Sequence, residues 1–375
     1  MKYTNKLFSV KDPYDIKNTE TLFTKALVEN CLFQYSHCKE YACILNGLGY
    51  DAENLCNTPD FYAALPFIPT LLFKRRKMFS LPERKLLIKA TSSGTSGVNV
   101  SEIGFDLGSL LRGLKMVLTV GKKHRLFSLK PCHYIIMGYK PHKSNRTAVT
   151  KTAYGATLFT PALSRTYILK YKDGKYSPDF EGVISAVRKG AGAKLPYRFM
   201  GFPAYTYFLL KIMEEKSIQV KLPKGSKIFL AGGWKQFYAR QADKKELYAL
   251  AEKVLGIEED NITEFFGAVE HPVLYCTCQN HHFHVPVYSR VIIRDQDTLN
   301  PVKNGTVGLV NLITPMVKGT PVLSVMTDDL GVLHESGECG CGIDTPYLEI
   351  IGRVAPDNIK TCAAGAEEII KNLEI

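Results

Sequence analysis

The chain has 375 residues, of which 45% are apolar and 22% charged, the balance of a globular protein long enough for one large domain or two to three smaller ones. No run of about 18 apolar residues occurs, so no membrane span is expected, and the N-terminal MKYTNKLFSVKDPYD lacks the apolar centre of a signal peptide. Net charge is +12, yet the densest basic cluster is FKRRK at 73–77; charge this dispersed speaks against nucleic acid and for a surface suited to small anionic substrates.

The elements are expected in the following order. Leu22, Ala26, Leu27, Cys31 and Leu32 recur at helical spacing, so 18–45 reads as helix. Pro66 and Pro69 interrupt the next stretch. After the apolar Leu86, Leu87 and Ile88 comes a loop of hydroxyls and glycines, Ser92, Ser93, Gly94, Thr95, Ser96 and Gly97. A helix over 106–120 follows, with Asp106 as cap and Leu107, Leu110, Leu111 and Leu114 on one face. HYIIMGY at 133–139 is a buried strand, and 177–190 a helix with Ser177 capping, Pro178 in its first turn and Gly190 at its end. YRFMGF, SKIFLAGG at 226–233 and NITEFFG at 261–267 read as further strands, separated by helices. Strands alternating with helices predict an α/β fold with a largely parallel sheet, whose ligands gather beyond the carboxyl ends of the strands. From 283 the pattern changes to short β-runs, expected to form an antiparallel sheet or distorted barrel.

Small residues let backbone amides approach a phosphate, and hydroxyls add donors, so 92–97 suits pyrophosphate as well as a plain linker. No Gly-Lys-Ser/Thr closes that loop, so it is not the common phosphate-loop pattern. Three later stretches complete an ordered set: AGGWKQF at 231–237, FFGAVEH at 265–271, and MTDDLG at 326–331 with IIGRV at 350–354. Taken singly they have plain readings. Gly232-Gly233 is then a strand-to-helix turn, Glu270 a helix-start carboxylate and Asp329 a hairpin residue; Trp234 is either a pocket wall or a core anchor.

Taken together and in this order, they resemble the adenylate-forming enzymes, which activate a carboxylate with ATP. GGWKQF, VEHP, HFHVPVYSRVIIRD, NLITPM and IKTCAAG look most like the LuxE-type acyl-protein synthetases, over about residues 60–365. The resemblance implies the adenylate-forming large domain, a parallel-sheet core with a smaller antiparallel β-subdomain at about 283–352. It implies a core over 1–352, a short tail over 353–375, and no C-terminal lid, since 22 residues follow Arg353. Val269 stands where the family's motif carries Thr.

The resemblance also implies roles. Ser92, Ser93, Gly94, Thr95, Ser96 and Gly97 would cradle the phosphates of ATP, and Gly232 and Gly233 would lie against adenine. Asp329 would accept the ribose hydroxyls, Arg353 would reach ribose or phosphate, and Glu270 would hold Mg²⁺ as a hard oxygen ligand. Cys362 would take the acyl group as a thioester, with Lys360 favouring its thiolate. Cys278 and His284, with Cys339 and Cys341 in GECGCG, would form a structural zinc site, an arrangement shared with phenylacetate-CoA ligase-like enzymes. Cys276 with His282 has the same spacing and is the competing register.

The expected protein is a cytoplasmic enzyme that makes an acyl-adenylate from ATP and a carboxylic acid, with a fatty acid expected. It moves the acyl group to Cys362 and delivers it to an acyl reductase or acyl carrier. The alternatives are a ligase using free CoA, and a zinc-stabilised binding module whose nucleotide residues are idle.

Overall fold

A computed structural model describes residues 1–58, 61–92, 100–143, 145, 148–234, 237 and 241–354. The chain divides into two compact units, one of residues 125–266 and one of residues 1–124 with 267 onward.

In the unit 125–266, five parallel strands lie in the order Ile262–Phe266, Lys227–Ala231, Tyr197–Gly201, Cys132–Tyr139, Ala162–Lys172. Lys175–Pro178 adds an antiparallel edge. Helices Phe180–Arg188, Pro203–Glu215 and Lys244–Leu255 bury Val183, Leu209, Met213, Leu247 and Ala251 against Ile135, Phe199 and Ile228 of the sheet. Alternate residues of each strand point to this one face, which is why the core reads as every second position.

Local signals place the helix ends. Asp243 caps its helix from the Lys245 amide, and Gly256 ends it at φ 65°, a conformation open to a residue without Cβ. One expectation is corrected here. Ser177 and Pro178 do not open a helix; they belong to the edge strand, with Ser177 opposite Lys170. The cap is Asp179, whose carboxylate accepts the Gly182 amide at 2.9 Å. A carboxylate that reaches the third amide satisfies an otherwise orphaned donor, and this set the start two residues later.

The other unit carries an antiparallel sheet in the order Phe283–His284, Tyr347–Arg353, Ser324–His334, Gly308–Ile313, Arg290–Arg294. The N-terminal helical region is two helices, Ile16–His37 and Lys39–Gly47, broken where Cys38 is extended. Buried Asn30 fastens the first helix, its amide donating to Pro315 O at 2.8 Å and Val317 O at 2.9 Å. Asp106 caps Leu107–Lys123 as expected, accepting the Gly108 and Ser109 amides at 3.1 and 3.2 Å. Of the expected leucine face, however, Leu107, Leu111 and Leu114 are exposed and Leu110 is half-buried, and Ser109, Arg112, Met116 and Val120 form the buried face instead. No described helix is long and apolar enough to cross a membrane.

Candidate nucleotide residues and a four-ligand cluster

Antiparallel pairing of Ser324–His334 with Tyr347–Arg353 sets Asp329 directly opposite Arg353. Arg353 Nε lies 3.5 Å from Asp329 Oδ1, and the Asp329 amide donates to Thr327 Oγ1 at 3.2 Å. Thr327 is itself fixed, its hydroxyl donating to Val310 O at 3.0 Å. Asp329 is thus a strand residue within the antiparallel pair. Burial raises its pKa, Asp328 and Glu270 raise it further, and Arg353 and Thr327 oppose the shift. A largely desolvated carboxylate close to a second carboxylate and one guanidinium is suited to vicinal hydroxyls.

Glu270 is buried, in the short turn that follows strand Ile262–Phe266; no helix starts there. Ala268 and His271 exchange backbone hydrogen bonds of 3.3 and 3.1 Å across that turn. A Cβ on Gly267 would stand 3.1 Å from Val273 O, so the turn closes tightly on a residue with no side chain. His271, which had no expected role, is fully buried with Nε2 3.1 Å from Ser289 Oγ. Ser289 also accepts from Tyr275 OH at 2.7 Å and donates to Ile313 O at 3.0 Å. Its one proton being used, Ser289 receives the His271 proton, so His271 is the Nε2–H tautomer. Burial lowers the His271 pKa to about 3, so the ring is neutral. The sequence signal was only a histidine beside the glutamate, which does not distinguish an anchor from a ligand.

Ser92 closes the base of the hairpin made by Ile88–Thr91 and Glu102–Phe105. Its amide donates to Ser101 O and its hydroxyl accepts from the Ser101 amide, both at 3.1 Å. Ser93, Gly94, Thr95, Ser96 and Gly97 lie outside the described residues, as do Lys360 and Cys362. In the unit 125–266, Gly232 and Gly233 follow strand Lys227–Ala231 with φ of 84° and 65° and are exposed. Trp234 is buried in that unit's core, with ring centroids 5.7 Å from Tyr207 and 6.5 Å from Phe208.

The turns 276–284 and 339–345 bring four side chains together. The donor atoms of Cys278, His284, Cys339 and Cys341 all lie within 4.8 Å of one another. Cys278 and Cys339 sulfurs are 3.5 Å apart, and Cys341 Sγ is 3.1 Å from His284 Nε2. His284 Nδ1 donates to Thr345 O at 3.0 Å, which leaves the Nε2 lone pair facing the thiols. Amides of Asn280 and Ile343 point at Cys278 and Cys341 sulfurs at 3.3 and 3.5 Å. Burial and the neighbouring thiols push Cys339 up to about 12, and burial raises Cys278. Three thiols and an oriented imidazole at this spacing match a tetrahedral soft-metal donor set. Cys276, the competing register, is fully buried outside the group of four; His282 is nearby, with Nδ1 3.1 Å from Cys339 Sγ.

A family model described as acyl-protein synthetase, LuxE, matches residues 5–370. The long-chain-fatty-acid–luciferin-component ligase of Aliivibrio fischeri is 26% identical over 369 residues, covering 93% of this chain and 89% of the relative. The Vibrio harveyi ligase of the same description is 24% identical over 346 residues, covering 88% and 83%. Among solved structures, 2-hydroxyisobutyryl-CoA ligase in its postadenylation state superposes with a TM-score of 0.67. That match is 13% identical and covers 92% of this chain and 70% of the other, a likeness of fold. The α/β architecture, with one parallel and one antiparallel sheet, is that of the adenylate-forming ligases.

Proposed function

The chain belongs to the LuxE acyl-protein synthetase family and is an AMP-forming ligase, and from that premise we propose that its acid is a long-chain fatty acid and its acyl acceptor Cys362. The acid is read from the two relatives, each described as a long-chain-fatty-acid ligase. The observation that carries the nucleotide reading is the Asp329–Arg353 pair, held across two strands with Glu270 close enough to act on Asp329.

In this reading Asp329 accepts the ribose hydroxyls and Arg353 reaches ribose or phosphate. Ser92 and the loop to Gly97 donate to the phosphates, and Gly232 and Gly233 lie against adenine. Glu270 would hold Mg²⁺, which supplies positive charge to the phosphate oxygens. A carboxylate oxygen of the acid attacks the α-phosphorus, and the bond to pyrophosphate breaks. The Cys362 thiolate, favoured by Lys360, then attacks the acyl carbon; the carbon–oxygen bond to AMP breaks and AMP leaves. Residues 1–352 are the activating core, and 353–375 the tail that carries the thioester to an acyl reductase or acyl carrier. Cys278, His284, Cys339 and Cys341 would hold a structural zinc. The nine cysteines among the described residues are all free thiols, which suits the cytoplasm.

The test is intact-protein mass after incubation with Mg-ATP and a panel of fatty and aryl acids. Wild type should gain one acyl group that hydroxylamine removes, and Cys362→Ala should gain none. Acid-dependent pyrophosphate exchange without any mass gain would move the acceptor to a soluble thiol such as CoA.

A further inference from the structure

The helix Leu107–Lys123 is turned inside out relative to ordinary amphipathic packing. Leu107, Leu111, Leu114 and Leu118 are 45–59% exposed, while Arg112 is buried beneath. That buried face mixes apolar Met116 and Val120 with polar Ser109 and Arg112, and the polar groups are satisfied. Arg112 donates to Met316 O at 2.8 Å, Asn5 Oδ1 at 2.9 Å and Ser109 Oγ at 3.0 Å. Gly113 sits on the inner side beside Met316, where a Cβ would come 2.9 Å from Met316 Cε, so the helix backbone approaches that side chain closely. The orientation is therefore set by the inner face, and the outer face is left apolar.

The leucines recur with steps of four, three and four residues. At about 100° per residue they fall within an arc of about 60°, the narrow seam that receives one facing helix rather than a broad face. Lys115 and Lys122 flank this seam on one side, both exposed and seven residues apart. Lys115 donates to Ser9 Oγ at 3.1 Å, and neither lysine has a carboxylate partner among the described residues. The helix itself carries no acidic residue. A second copy of this helix would bring two more lysines and no complement. An anionic bilayer would favour a wider apolar arc than this one.

We infer that the outer face of Leu107–Lys123 is a docking seam for a partner protein's amphipathic helix, one with leucine-like residues at its own seam and carboxylates flanking it. Seam leucines supply apolar burial, and the flanking charges select the partner and its orientation. None of these residues belongs to the nucleotide site or the four-ligand cluster, so the inference does not depend on the activity assigned above.

The test uses the full chain and a labelled three-heptad synthetic peptide with Leu at both seam positions and Glu at the flanking ones, read by fluorescence anisotropy. A counterpart with Lys in place of Glu should bind about tenfold more weakly, since each flanking pair turns from attractive to repulsive. Leu111→Ser with Leu114→Ser should abolish binding of the Glu peptide, and Lys115→Glu with Lys122→Glu should reverse the preference. Acid-dependent pyrophosphate exchange at the wild-type rate in these variants shows that they fold. Equal affinity for both peptides, or binding indifferent to the leucines, overturns the seam. A leucine-dependent dimer in sedimentation velocity overturns the partner, as does leucine-dependent pelleting with vesicles of phosphatidylglycerol and phosphatidylcholine. Peptide binding only after removal of residues 355–375 overturns it too, since the chain would then cover the seam itself.

Discussion

Asp329 separates binding from stability. In the proposed role only its ionised form would accept both ribose hydroxyls, and its pKa is raised by burial. Acidification should therefore weaken ATP binding at a pH above the ordinary aspartate range, and the wild-type profile should converge on that of Asp329→Asn. At neutral pH that variant should bind ATP about tenfold to a hundredfold more weakly, the cost of losing hydrogen bonds to a charged group. Its thermal midpoint should move the opposite way. A carboxyl whose folded pKa exceeds its unfolded value binds its proton more tightly when folded, so stability falls as pH rises from the unfolded to the folded pKa. Asp329→Asn removes that loss and should melt higher than wild type at pH 7 in calorimetry; a lower midpoint would mean that the Arg353 contact outweighs desolvation. The carboxylate itself was legible from the sequence. Its raised pKa was not, because that depends on strands pairing residues 329 and 353 and on a turn at 270.

At the scale of elements, two features combine distant segments. Cys278 and His284 of 276–284 meet Cys339 and Cys341 of 339–345. Purified protein should carry close to one zinc per chain by elemental analysis. Cys278→Ser should lose it, while Cys276→Ser should keep it; the reverse pattern would restore the competing register. Spacing alone left both registers open, since Cys276/His282 and Cys278/His284 are each six apart. In three dimensions Cys278 and His284 stand with Cys339 and Cys341, and Cys276 does not. The helix Ile16–His37 shows the same dependence on remote chain. Asn30 offers its amide to two carbonyls of the segment 315–317, so Asn30→Ala would leave buried acceptors unpaired. The expected loss is about 2–3 kcal/mol in urea unfolding, against near-neutral effects at exposed positions of that helix. An asparagine within a helical pattern carries no such signal, because its partners lie hundreds of residues away.

At the scale of the whole molecule, the proposed function divides activation and acyl transfer between different parts of the chain. A protein ending at Val354 should retain acid-dependent pyrophosphate exchange and lose self-acylation, measured by exchange of labelled pyrophosphate and by intact mass. Loss of both activities would place tail residues in the first half-reaction.

Periodicity and order were enough to determine much of this. Strand–helix alternation gives a parallel α/β sheet, the later β-runs give an antiparallel one, and motif order pointed to the family before any coordinate was known. Such features are local or sequential, and local chemistry suffices for them. Tertiary structure decided what depends on neighbours remote in sequence: which cysteines gather beside His284, the His271–Ser289–Tyr275 network, the upward shift of the Asp329 pKa, and which face of Leu107–Lys123 meets solvent. That last point is the clearest. The sequence marks the leucine side as the inner one by hydrophobicity, but buried Arg112 finds three acceptors on the other side, at Met316 O, Asn5 Oδ1 and Ser109 Oγ, and Met116 and Val120 are buried with it. Satisfied hydrogen bonds to remote residues favour that orientation, and they are not written in the hydrophobic pattern.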